Sequence, residues 1–344
     1  MNAYLEAIAA KLPDNKVSNK DLQIENSDWA MDDVYLKTGV SSRYIAKPNE
    51  TSYDLGRDAV DLLFSNSRHR LEDVDAIIFC TQSPDYLMPT NAHLIHRHLK
   101  LTDKVIAFDL NLACSGYIYG LSIANSFIKS GQAKKVLLIT SETYSKFTYP
   151  KNRSVRTLFG DGAAATLVAA DENIKGFNTF DLASNGNNFD KFYIPSGGFR
   201  TPKSLSSKKE ILDTGGSPNN QESIHMDGMA VWSFINSSVP NQIKEHLNQN
   251  HWDISSVDHF IFHQGSKMTL ESLSRKLGLD PSKVHTNIEN IGNTVSASIP
   301  LCLRDAINEG SKLKLGDRIL LSGFGVGLSY GTTSFKYEKR CYVY

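Results

Sequence analysis

The chain has no apolar run long enough to span a bilayer as a helix, and no surplus of charge of either sign. Its 37 Lys and Arg balance 37 Asp and Glu, so no global field draws it to nucleic acid or to an anionic membrane. The opening residues, MNAYLEAIAAKLPDNK, lack a basic start and place Glu6 inside a short apolar segment, so an export signal is not expected. Cysteine is scarce. The four residues Cys80, Cys114, Cys302 and Cys341 follow no metal-ligand spacing, and a reduced, cytoplasmic setting is expected. A dinucleotide fingerprint is also missing. The glycine-rich stretches FGDGAAA (159–165) and GFGVG (323–327) each precede a strand rather than opening a helix, so glycine there serves close backbone packing.

What is present centres on residues 105–143, VIAFDLNLACSGYIYGLSIANSFIKSGQAKKVLLITSET, which read as strand, sharp turn, helix, strand. Cys114 stands at the turn, ahead of an apolar helix of Tyr117, Leu121, Ala124 and Ile128. Unpaired N–H groups and the dipole at a helix start favour an anion, so a lowered thiol pKa and a nucleophilic sulfur are expected. Free N–H groups there would also hold an oxyanion, with a further one near Val326. A buried structural cysteine fits the same stretch.

The flanking chain is organised as α/β. Residues 3–10 read as a strand, Ser18-Asn19 as a capped helix start, and 29–38 as an amphipathic segment ending at Gly39. Segments 55–64 and 91–98 read as helices, and 74–80 as a buried strand. The second half repeats this plan. SVDHFIFHQGS (256–266) echoes DVDAIIFCTQS (73–83), matching His263 to Cys80. NIENIGNTVSASIP (287–300) falls where FDLNLACSGYIYG (108–120) fell, matching Asn293 to Cys114. DRILLSGFGVG (317–327) answers KKVLLITSETY (134–144). Matching order at similar spacing predicts two duplicated halves, residues 1–172 and 173–344. In paired α/β halves, chemistry gathers beyond strand ends and at helix starts, which makes one cleft of Cys114, His263 and Asn293 the expectation.

A polar segment, 197–224, is rich in Gly, Ser, Pro and Lys and is expected to be exposed, as a surface loop or as a lid or partner contact. His93, His96 and His98 share one helix, but no cysteine or carboxylate sits at ligand spacing, so no metal is expected. A Cys, a His and an Asn suit acyl transfer: the thiolate attacks a thioester, and the other two donate hydrogen bonds to an oxygen gaining negative charge. A protease-type Cys/His/Asn triad is the competing reading.

The chain resembles the β-ketoacyl-acyl-carrier-protein synthase III family of the thiolase-like superfamily. The resemblance rests on Asn111-Leu112-Ala113-Cys114-Ser115-Gly116, Phe159-Gly160-Asp161-Gly162-Ala163, His263-Gln264, Gly292-Asn293-Thr294 and Gly323-Phe324-Gly325, in family order over nearly the whole chain. It implies a thiolase-like five-layered αβαβα fold, a homodimer, and catalysis by Cys114, His263 and Asn293. It implies no cofactor: thioesters of coenzyme A or phosphopantetheine are substrates. Acyl-CoA or acyl-carrier protein would load Cys114, and malonyl-carrier protein or malonyl-CoA would decarboxylate beside His263 and Asn293. No nucleic-acid or membrane partner is implied. Arg153, Lys37, Phe324 and Val326 are the substrate-binding candidates, and Met88 matches a position that reaches across the dimer to limit the primer pocket in relatives.

Some positions depart from the family pattern. HQAN becomes His263-Gln264-Gly265-Ser266, an aromatic that stacks on adenine becomes Asp33, and Lys37 stands where Arg is frequent. A basic residue that receives the carrier protein falls near Lys267 or Met268. These changes leave the donor open and point to a specialised lipid or secondary-metabolite pathway. Three alternatives compete: acyl transfer to an oxygen or nitrogen acceptor, a non-catalytic partner subunit, and hydroxymethylglutaryl-coenzyme A synthesis. The last is disfavoured, because Gln82 occupies the position of the glutamate base.

Overall fold

The computed structural model describes residues 1–65, 68–308 and 313–344. Its principal strands are β1 (Asn2–Lys11), β2 (Ala76–Cys80), β3 (Ile106–Leu110), β4 (Lys135–Glu142), β5 (Gly162–Asp171), β6 (Phe177–Ser184), β7 (His259–Phe262), β8 (Val284–His285), β9 (Arg318–Gly325), β10 (Ser329–Lys336) and β11 (Tyr342–Val343). One sheet runs β11-β1-β5-β4-β2-β3 and the other β8-β7-β9-β10-β6. In each, three strands are parallel (β3, β2, β4 and β8, β7, β9). The next two are antiparallel. Leaving β11 aside, the orders correspond strand for strand. The repeated segments 73–83 and 256–266 form β2 and β7, and 134–144 and 317–327 form β4 and β9. Every residue of β2 is buried, as a central parallel strand covered on both faces requires.

Six of the helices frame the core and the site: α1 (Met31–Thr38), α2 (Ser52–Phe64), α3 (Gly116–Ser130), α4 (Gly228–Gln249), α5 (Lys267–Leu277) and α6 (Ser298–Asn308). Helices α3 and α6 lie between the sheets, where Tyr117, Leu121 and Ile299 share a core with Ile78, Val136, Ile261 and Leu321. Helix α2 packs Leu55, Ala59 and Leu63 onto the outer face of the first sheet. Helices α4 and α5 cover the second sheet, with Val239, Ile243 and Leu273 against Phe260, Phe262 and Leu320. The five layers αβαβα are therefore those the resemblance implies. Helix α2 starts at Ser52, earlier than its apolar pattern, because Thr51 and Asp54 form a reciprocal cap.

The chain passes from one sheet to the other between Asp171 and Phe177. The C-terminus then crosses back: β11 pairs with β1, and His69 bonds both Glu6 and Tyr344 beside it. The first sheet is thus completed by the far end of the chain. Gly323 to Gly325 finish β9, and a turn at Val326-Gly327 carries the chain into β10, the strand that this stretch precedes. Segment 197–224 is largely exposed, with Phe199 and Leu205 uncovered and a small ribbon of Ile211–Leu212 on Pro218–Asn219. His93, His96 and His98 bond separately to Thr90, the Thr102 carbonyl and Asp61. Among the described residues no His, Cys, Asp and Glu grouping is placed to hold a metal, and no helix is long and apolar enough to cross a membrane.

Candidate active site

Cys114, His263 and Asn293 line one cavity of about 520 Å³. Each follows a strand or turn of the duplicated plan: Cys114 lies between β3 and α3, and His263 directly follows β7. Asn293 follows Gly292, whose φ of 72° is open to glycine at little cost. The Asn293 N–H donates to the Leu158 carbonyl (2.9 Å), and its carbonyl accepts from the Gly160 N–H (3.0 Å). The FGDG stretch therefore clamps the asparagine of the other half. A Cβ at Gly160 would stand 2.4 Å from the Ile291 carbonyl oxygen, so glycine is what permits this approach.

Glycine also admits the sulfur. A Cβ at Gly325 would fall 2.7 Å from Cys114 Cβ and 2.8 Å from its Sγ. The backbone N–H groups of Val326 and of Cys114 itself face the sulfur and act to lower its pKa. His263 Nδ1 lies 2.7 Å from Ser298 Oγ, and the edge of Phe324 meets its ring at 5.7 Å between centroids. Asn293 Oδ1 accepts from the Val295 N–H (2.9 Å), which turns Nδ2 toward His263 Nε2 (3.4 Å). At that separation the pair is loosely joined, and both groups are free to approach a third atom.

Burial dominates the electrostatics. It pushes the Cys114 thiol up to about 12, the charge of Glu142 adds to this, and the two N–H groups oppose it. This corrects the expectation of a lowered pKa at the helix start. Helix α3 begins at Gly116 with Ser115 as its cap, and loss of water outweighs the effect of the helix end. Burial likewise lowers the His263 imidazole to about 3, so the ring is neutral near pH 7. A neutral ring carries one N–H. If Ser298 donates to Nδ1, the proton sits on Nε2 and faces Asn293; if Ser298 donates to the Val295 carbonyl instead (2.9 Å), Nδ1 keeps it.

Lys37 and Arg153 line the cavity mouth beside Asp33, all three exposed, and neither base forms an ion pair among the described residues. Met268 also reaches the mouth, whereas Lys267 turns toward Glu271 at 3.9 Å. In the altered HQAN, Ser266 caps α5 by accepting from the Thr269 N–H, and Gly265 offers its carbonyl to Asn293 Nδ2 at 3.4 Å. Met88 is 81% exposed, with Tyr86 and Leu87, and lies outside this cavity. Sequence reasoning missed Glu142, Ser298 and the lining residue Trp232. A signal existed for the first: a lone carboxylate at the end of the apolar strand LLITSE.

Residues 108–186 match the family model of 3-oxoacyl-[acyl-carrier-protein] synthase III, and residues 247–337 match that of its C-terminal region. A beta-ketoacyl-[acyl-carrier-protein] synthase III from Bacillus anthracis is 36% identical over 329 residues, covering 95% of each chain. A solved 3-oxoacyl-(acyl-carrier-protein) synthase III superposes with a TM-score of 0.94 at 36% identity, covering 98% of this chain and 100% of the other. The enzyme of that name from Pseudomonas aeruginosa superposes with a TM-score of 0.85 at 31% identity, covering 98% and 99%. With five motifs in order, a duplicated five-layered fold and this extent of likeness, the chain belongs to the 3-oxoacyl-[acyl-carrier-protein] synthase III family.

Proposed function

We propose that this protein is an acyltransferase that joins an acyl group to a malonyl-derived carbon. In the first half-reaction the Cys114 sulfur attacks the carbonyl of an acyl thioester. The tetrahedral intermediate expels the donor thiol, which takes up the proton that Cys114 loses. The N–H groups of Val326 and Cys114 face the sulfur and would donate to the oxyanion of the intermediate. In the second half-reaction a malonyl thioester loses carbon dioxide. Its thioester oxygen gains negative charge as an enolate, and Asn293 Nδ2 and a His263 Nε2–H donate to it. The enolate carbon attacks the acyl-Cys114 carbonyl and expels the thiolate, giving a 3-oxoacyl thioester.

The observation that carries this reading is the convergence of sulfur, imidazole and carboxamide on one cavity from separate halves of the chain. Lys37 and Arg153 at the mouth suit the phosphates of a coenzyme A or carrier-protein thioester. The exposed run Tyr86, Leu87 and Met88 supports a homodimer, which light scattering would register as a doubled mass. The decisive experiment is intact-protein mass spectrometry after incubation with acyl-CoA and acyl-carrier thioesters. One acyl adduct, lost in Cys114→Ala, is expected, and carbon dioxide release should follow on adding malonyl thioester. An adduct that persists in Cys114→Ala refutes the nucleophile.

A further inference from the structure

Glu142 ends β4 and is wholly buried, yet no cation lies within ion-pair distance of it among the described residues. Its carboxylate accepts only from neutral groups. Ser83 Oγ (2.9 Å), Thr81 Oγ1 (3.3 Å) and the Gln82 N–H (3.1 Å) reach it from the loop after β2. Ser296 Oγ (2.9 Å) reaches it from the other half, three residues beyond Asn293. An ionised carboxylate without a counter-charge projects its field onto its neighbours in low dielectric. The titratable groups it acts on are Cys114, Cys80 and Tyr144. Cys80 is engaged with the Leu112 carbonyl, and Tyr144 donates to Gln82 Oε1. Of the three, only Cys114 opens on the cavity.

We propose that Glu142 is a positioning residue whose charge state decides when Cys114 surrenders its proton. Ionised, it keeps the proton on sulfur and the thiol unreactive toward stray electrophiles; neutral, it releases that restraint. Burial holds the Glu142 carboxyl near 7, so both states are populated around neutral pH. The proposal rests on Cys114 being the nucleophile, but its effect is on thiol ionisation and needs no acyl donor to be seen.

The test is the pH dependence of iodoacetamide alkylation of Cys114, followed by intact mass with the alkylated peptide identified. In Glu142→Gln, which keeps shape and removes charge, the midpoint should move down by about one pH unit, making alkylation about tenfold faster at pH 9, where wild-type Glu142 is ionised, and only about twofold faster at pH 7, where half of it is already neutral. Ser296→Ala removes one donor to the carboxylate and so raises its pKa. It should speed alkylation at pH 7–8 and leave the rate above pH 9 unchanged, a pattern that a packing defect would not produce. Coincident profiles for wild type and a folded Glu142→Gln overturn the proposal. If Glu142→Gln does not fold, the Ser296→Ala profile decides, and coincidence with wild type again overturns it. Acylation of wild-type Cys114 by a thioester, measured alongside, separates the two readings. With acylation intact and coincident alkylation profiles, only the role of Glu142 falls; with no acylation, the nucleophile assignment falls as well.

Discussion

Gly325→Ala tests the site where it is most tightly built. The new methyl would stand 2.7 Å from Cys114 Cβ and 2.8 Å from Sγ. Carbon contacts settle at about 3.5–4.0 Å, so roughly 1 Å must be found. The strand cannot supply it, because Gly325 is paired with Ser329 of β10. The cysteine turn has little room either: its carbonyl already lies 2.7 Å from where a Cβ of Gly323 would stand. The sulfur is therefore displaced. Overpacking of this kind costs about 1–3 kcal/mol of stability, and a 1 Å misplacement of a reacting atom costs about 100-fold in rate. Acyl-adduct formation, timed by intact mass spectrometry, should fall about 100-fold in Gly325→Ala, with a modest loss of stability in urea. Gly186→Ala is the control, since its added methyl meets nothing within 4 Å. Wild-type acylation and stability in Gly325→Ala would show that the sulfur is not confined by this contact.

Asn293→Ala should keep acylation of Cys114 and lower condensation by about 10²–10³-fold, as removal of one oxyanion donor does; equal loss in both half-reactions would assign it elsewhere. Ser298→Ala removes the 2.7 Å partner of His263 Nδ1. Malonyl decarboxylation should slow about tenfold, the equivalent of one hydrogen bond, while alkylation of Cys114 is unchanged. Thr51→Ala removes the cap of α2 at a residue that does not line the cavity, and should cost about 1 kcal/mol in denaturant unfolding without altering acylation. Glu142 also predicts a pH dependence of stability. Its folded pKa of about 7 lies above the ordinary 4.5, so its contribution is intact below 4.5 and is lost as pH rises through 7. Relative to wild type, Glu142→Gln should gain roughly 3 kcal/mol between pH 4 and pH 8, measured by urea unfolding; a pH-independent difference would refute the burial of a titrating carboxyl.

Much of the site was legible because its markers are local. Apolar runs at 76–80 and 259–262 announce buried parallel strands, and the residues just beyond a strand or at a turn are where chemistry collects. The repeat sets Cys114 and Asn293 at equivalent turns from sequence spacing alone. The glycine stretches were legible as close-packing sites, but their partners were not. That Gly325 makes room for Cys114, and that 158–160 clamps Asn293, are contacts between segments more than a hundred residues apart. The return of Tyr342–Val343 to β1 was hidden for a different reason, since two residues carry too short a pattern to read.

The clearest divergence concerns the thiol. A cysteine ahead of a helix predicts a favoured thiolate when only chain neighbours are considered. In the folded chain Cys114 has lost its water and lies near the carboxylate of Glu142, and both raise its pKa. Backbone propensity and side-chain order are written along the chain, so elements, repeat and reactive residue types were determined by the sequence alone. Dielectric environment and charge separation depend on what folding brings near, so the protonation states of Cys114, His263 and Glu142, and the hydroxyls that bond to the last two, were decided only by the tertiary structure.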